Sequence, residues 1–202
     1  MSKKPAKKAT KKVTKHGHHP PPHERQSPLT DTHTLRQRAR HNIEKGAITE
    51  SYSADRKEVI KLLNEALATE YVCVLRYYRH YFMAKGMLAD SIKAEFLEHA
   101  QQEQAHANKI AERIVQLGGE PDLNPDTLTK RAHAEYKEGK NLRDMVKEDL
   151  VAERIAIDSY REMIGYIGDR DTTTKRMLEA ILAQEEEHAD EFADLLDGWI
   201  GS

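Results

Sequence analysis

Gln102-Glu103-Gln104-Ala105-His106-Ala107 and Gln184-Glu185-Glu186-Glu187-His188-Ala189 are two copies of one pattern in this chain. Each copy sets a Glu and a His three positions apart, which on a helix puts carboxylate and imidazole on one face. A lone Glu precedes each copy at nearly the same distance. Glu70 lies 33 residues before Glu103, and Glu153 lies 32 before Glu185. The flanks repeat too: Glu-Ala-Leu-Ala-Thr-Glu ends at Glu70, Glu-Asp-Leu-Val-Ala-Glu ends at Glu153, and a Tyr follows seven residues after each, Tyr77 and Tyr160. One Glu-x-x-His pair is expected by chance in so charged a chain and would read as a solvated helix face. Two copies with matched upstream Glu residues read differently. Four Glu and two His, delivered by four helices in two equivalent halves, make a ligand set for two metal ions.

Hydrophobic periodicity supplies the helices. The first long one is predicted from after Ser53 or Asp55 to about Lys85, with Val59, Leu62, Leu63, Ala66, Leu67, Glu70, Val74, Tyr77 and Tyr81 on its inward stripe. A second runs from about Asp90 to Leu117 and stops at Gly118-Gly119. Pro121 and Pro125 mark a long connection holding a short helical piece around Leu128–Glu135. The third long helix covers about Asn141–Ile167, and the fourth starts near Asp171 or Thr172 and reaches about Leu196. The outer links are short and the central one is long, so two helical hairpins are joined by a crossover. Glu70 and Glu153 fall on apolar stripes, where an unmatched carboxylate costs several kcal/mol, and a metal pair supplies the missing positive charge.

A chain of 202 residues fits one domain plus a tail. Residues 1–30 read as a disordered Lys/His/Pro-rich tail and 31–51 as a short helix and linker, the helix running from Asp31 or Thr32 to about Gly46. Residues 52–202 form the bundle. Charged residues make up 33% and aromatics 6%, a balance that favours helices with well-solvated outer faces. The single Cys73 excludes an intrachain disulfide and a four-cysteine metal site, and its apolar neighbours mark it as a core residue. No stretch approaches the roughly 20 apolar residues of a membrane span, and no apolar segment follows the basic start as a signal peptide requires. A cytoplasmic location, at the nucleoid, is expected. The net charge of −2 hides a division, since Lys3, Lys4, Lys7, Lys8, Lys11, Lys12 and Lys15 give the first 23 residues a formal +7 and leave −9 on the body.

Carboxylate and imidazole donors without thiolate suit iron or manganese. From about Tyr52 to Leu196 the chain resembles bacterioferritin, within the ferritin-like superfamily, on these six positions and on the Tyr seven after the first. That resemblance implies an all-α ferritin-like four-helix bundle that holds two iron ions per subunit and oxidises Fe2+ with O2 or H2O2. By it Glu103 and Glu185 would bridge the irons, Glu70 and Glu153 would be terminal carboxylates, and His106 and His188 would each bind one iron. Tyr77 would stand beside this ferroxidase centre, either in a redox role or as a packing residue whose hydroxyl bonds a carboxylate. Three features depart from bacterioferritin. The haem-ligating Met that follows the first bridging Glu is replaced by Gln104, with Met83 and Met87 elsewhere, so no haem is expected. Only 14 residues follow His188, too few for a fifth helix, and the basic tail has no counterpart. Tail and missing helix are similar to the Dps-type mini-ferritins, which implies a homo-oligomeric cage of 12 subunits in preference to 24.

The tail's Lys-Lys pairs, spaced by small residues, resemble linker-histone tails. Lacking Arg and aromatics, they address phosphate charge and not base sequence, so non-specific DNA binding is expected. His16, His18, His19 and His23 form a cluster that could gain charge near pH 6 or capture metal. Two other functions fit the same residues: a non-storing di-metal peroxidase or catalase of the rubrerythrin or manganese-catalase type, and an architectural nucleoid protein whose metal site is structural.

Overall fold

The computed structural model describes residues 29–86 and 89–199, with Met1. Four long helices carry the fold: α2 (Arg56–Met83), α3 (Ala89–Gln116), α5 (Leu142–Ile167) and α6 (Thr172–Gly198). Two short helices, α1 (Thr32–Arg38) and α4 (Leu128–Arg131), precede the bundle and interrupt the crossover. Of the starts the sequence left open, Ser53 or Asp55 and Asp171 or Thr172, the caps are Asp55 and Asp171. The Asp55 carboxylate accepts from the amides of Lys57 and Glu58, Asn141 from Asp144, and Asp171 from Thr174, which satisfies amides left free at each helix start. α2 packs along α3 and α5 along α6, so each hairpin buries one stripe against its mate and another against the second hairpin.

Two boundaries differ from those expected, each for its own tertiary reason. The N-terminal helix ends at Arg38 and continues only as a 3-10 turn at Ile43–Lys45, because Leu35 and Ile43 are exposed and have no apolar surface to pack on. The crossover helix stops at Arg131 instead of Glu135, because its backbone finds other partners. His133 N–H donates to Thr69 Oγ1 (2.9 Å), and the Glu135 and Lys137 carbonyls accept from Arg76 (3.0 Å) and His80 (3.1 Å) of α2. Arg76 and His80 in turn bond the two oxygens of Asp149 on α5, each at 2.8 Å, and all three side chains are buried. A single buried triad thus ties crossover, first hairpin and second hairpin together.

The turn after α3 brings its backbone against the side chains of Ile60 and Ile114. A Cβ on Gly119 would stand 2.8 Å from the Ile60 side chain, so a glycine lets the chain leave α3 tightly along α2. The apolar interior falls into two clusters. One gathers Val59, Leu63, Leu67, Ile110, Ile114 and Ile181; the other gathers Cys73, Ile92, Phe96, Val146 and Phe192. Each fully buried Leu, Ile or Phe contributes about 1.5–3 kcal/mol, so these two plugs hold the bundle closed around a polar midsection. Cys73 is a free, buried core thiol. No described helix is long and apolar enough to cross a membrane.

Candidate metal centre

Between the plugs the four helices bring together all six repeated positions: Glu70 from α2, Glu103 and His106 from α3, Glu153 from α5, Glu185 and His188 from α6. None is more than 2% exposed. They form two overlapping groups, Glu70–Glu103–His106–Glu185 and Glu103–Glu153–Glu185–His188, and within each the potential ligand atoms lie within 4.8 Å of one another. Glu103 and Glu185 belong to both groups. His106 Nδ1 lies 3.1 Å from Glu185, 3.5 Å from Glu70 and 3.6 Å from Glu103. His188 Nδ1 lies 3.3 Å from Glu103, 3.5 Å from Glu185 and 3.7 Å from Glu153.

The donor set fits a pair of divalent cations on two counts. Glu70 Oε2, Glu103 Oε1, both oxygens of Glu185 and both histidine Nδ1 atoms are buried without a hydrogen-bond partner. So many unmet polar atoms at one point are costly unless cations complete them. Charge agrees, since four carboxylates neutralise two divalent ions in full while both imidazoles stay neutral.

Without cations, protons take over that role. Burial, then Glu103 and Glu153, pushes the Glu185 carboxyl up to about 8. Burial and Glu103 raise Glu70 well above the usual carboxylate range. Burial alone would raise Glu103 as well, but the closeness of Glu70, His106 and His188 holds it well below that range. Burial opposes charge on His188, yet Glu103, Glu153 and Glu185 outweigh it and lift the imidazole to about 12; His106 is raised by Glu103, Glu185 and Glu70 in the same way.

The tyrosines and glutamines of the repeat act across the two hairpins. Tyr77 on α2 donates its hydroxyl to Glu153 on α5, and Tyr160 on α5 donates to Glu70 on α2. Tyr77 is therefore bonded to a carboxylate, and Tyr160 is its equal in the other half. The Gln184 amide oxygen lies 2.9 Å from His106 Nε2, and the Gln102 amide oxygen meets His188 Nε2. Each Gln accepts from Nε2–H, which leaves Nδ1 as the nitrogen facing the centre. The sequence signal for these roles was present, because Tyr160 repeats Tyr77 and each hexapeptide opens with Gln. The partner could not be read, because every one of these bonds crosses between hairpins. Replacing Gln102 and Gln184 together by Ala is expected to weaken Zn2+ binding at the centre by roughly 10- to 100-fold with helicity intact; unchanged affinity in competition with a chelator would show the amides to be bystanders.

One further residue joins the site without having been singled out. His99, four positions before Glu103 on the same face of α3, is buried with its ring stacked on His188 at 4.1 Å between centroids. Burial, then His188, drives its imidazole down to about 3. At the position after Glu103, the Gln104 amide reaches Asn108 (3.1 Å) and the Tyr71 hydroxyl (3.4 Å), and Met83 lies exposed at the end of α2. Met87, the tail lysines Lys3–Lys15 and the histidines His16–His23 lie outside the described residues.

Residues 60–199 match the family described as Ferritin: Ferritin-like domain. Among curated proteins the chain is 30% identical over 135 residues to a bacterioferritin of Rhodobacter capsulatus, covering 66% of this chain and 79% of that one. It is 31% identical over 144 residues to a nutrient stress-induced DNA-binding protein of Synechococcus sp., covering 69% and 81%. Among solved structures it superposes on the dodecameric thioferritin of Bacteroides fragilis, a bacterioferritin-related protein, with a TM-score of 0.70 and 32% identity, covering 72% of this chain and 88% of that one.

Proposed function

This chain belongs to the ferritin-like family, in its bacterioferritin- and Dps-related group, and we propose that it oxidises Fe2+ at the six-residue centre and stores the product. The observation that carries this reading is the convergence of two Glu/His groups on a shared pair of carboxylates, Glu103 and Glu185, with their inward atoms unpartnered. Glu70 and His106 would hold one Fe2+, Glu153 and His188 the other, and the shared pair would contact both. Two substrate ions so placed can each give one electron to a single O2 or H2O2; with peroxide, two protons and two electrons yield two waters. The chain's own contribution is positional. Tyr160 and Tyr77 fix one oxygen of each outer carboxylate, Gln184 and Gln102 fix the imidazoles, and the flanking apolar clusters keep bulk water away. No haem takes part in this reading, since Gln104 stands where the haem ligand of bacterioferritin is expected.

We take the body, from residue 52 onward, as the ferroxidase unit of a 12-subunit cage, a reading supported by likeness to a relative described as dodecameric. The test is direct. Purified protein given Fe2+ in air should show hollow particles of dodecamer size filled with electron-dense mineral. Monomers or dimers without mineral would replace storage by the non-storing peroxidase reading.

The first 30 residues are assigned to DNA. Seven lysines per arm, repeated around a cage, would bind phosphate by mass action and avidity, and one relative is described as DNA-binding. Removal of residues 1–15 is expected to abolish the gel shift of double-stranded DNA of any sequence, and undiminished retention would reject the role.

A further inference from the structure

The two halves of the centre match at the six inner residues and at the Tyr and Gln that bond them, which makes a difference right beside them informative. Glu70, Glu103, His106, Gln102 and Tyr77 pair with Glu153, Glu185, His188, Gln184 and Tyr160. Under the same correspondence Glu95, His99 and Glu191 pair with Met177, Ile181 and Lys109. One half thus carries three metal-binding side chains where the other carries a thioether, an aliphatic chain and a cation. Ile181 is fully buried in the first apolar cluster, so that end of the centre is plugged with hydrocarbon.

The polar end is built as a site. Ligand atoms of Glu95, His99 and Glu191 all lie within 4.8 Å of one another, and His99 also belongs to a second such group with Glu153 and His188. His99 Nε2 lies 2.8 Å from Glu191 Oε2, while Nδ1 is buried without a partner and the whole residue is 1% exposed. Glu191 is 46% exposed at its side chain, so the trio runs from solvent to the buried ligands in a single step. We propose that Glu95, His99 and Glu191 form a third divalent-cation site that hands ions to the buried pair through its Glu153–His188 half. Two carboxylates and an imidazole hold Fe2+, Mn2+ or Zn2+. With one ligand face open to water, such a site binds more weakly than the closed centre, as a transfer station must. The proposal rests on the two-metal reading of the buried centre.

The trio can be disarmed without touching the six inner residues. Full-length protein and its Glu95→Gln/Glu191→Gln variant, both compared metal-free by thermal melting to verify folding, would be crystallised and soaked in Zn2+. Data collected at the zinc edge should show three anomalous peaks within each native bundle, and in the variant only the inner two. In stopped-flow mixing with Co2+, the visible absorbance of the filled inner centre should rise roughly tenfold more slowly in the variant. A native bundle with only the inner two peaks, a third peak that persists in the variant, or an unchanged filling rate overturns the transfer site and leaves the buried pair standing. Absence of the inner peaks themselves overturns both readings.

Discussion

Replacing Glu103 and Glu185 together by Gln is expected to abolish Fe2+ oxidation, with the initial rate falling by more than the roughly 10- to 100-fold that follows loss of an outer partner. The two side chains keep their size but lose the charge that two cations share, so each group keeps only two of its four original donors. Oxidation would be followed by the rise of ferric absorbance under air, with circular dichroism to verify an intact bundle. A variant as fast as the native protein would remove the centre from the reaction and favour the architectural reading. The same substitution carries a second, pH-dependent signature. In the metal-free chain the Glu185 carboxyl sits at about 8, above its ordinary value near 4.5. Its proton therefore stabilises the fold fully below pH 4.5, and that contribution is lost as the pH rises through 8. A cation replaces the proton on the same atoms, so Zn2+ should raise the native Tm more at pH 8 than at pH 6. The double variant should show no such increment from the buried centre. An increment that shrinks with rising pH would contradict this account.

Asp149→Ala is expected to be the most damaging change outside the centre. It leaves Arg76 and His80 without their shared carboxylate in a place where all three side chains are at most 1% exposed. Removing one partner of a buried pair costs about 3–5 kcal/mol, which for a domain of this size lowers Tm by roughly 6–20 °C. The loss has a location as well as a size. Arg76 and His80 hold the carbonyls of Glu135 and Lys137, so the crossover should become the first site of limited proteolysis. Asp149→Asn, which keeps the shape and part of the hydrogen bonding, should fall between native and Ala. A drop of only a few degrees with an unaltered cleavage pattern would show the triad to be dispensable.

These expectations trace to different levels of the molecule. The four long helices and their caps follow from patterns a few residues wide: apolar positions at helical spacing, Asp55, Asn141 and Asp171 at helix starts, Gly118 and Gly168 at helix ends. The six inner residues were legible for the same reason, since Glu-x-x-His fixes a common face and the repeat doubles it. The short segments were less so. Whether Leu35 and Ile43 extend a helix depends on surface supplied by the rest of the fold, and the 132–135 stretch leaves helix because Thr69 and Arg76 take its backbone bonds.

By itself, then, the sequence determined which side chains share a helix face, because that relation is set by the 3.6-residue period and needs no partner. Only the tertiary structure decided which faces meet. Tyr77 finds Glu153, Gln102 finds His188, Arg76 and His80 meet on Asp149, and His99 links Glu191 to the buried histidine, although their separations in the chain range up to 92 residues. Such pairings depend on the crossing and axial register of two hairpins. Packing of whole stripes sets that register, and no local periodicity encodes it.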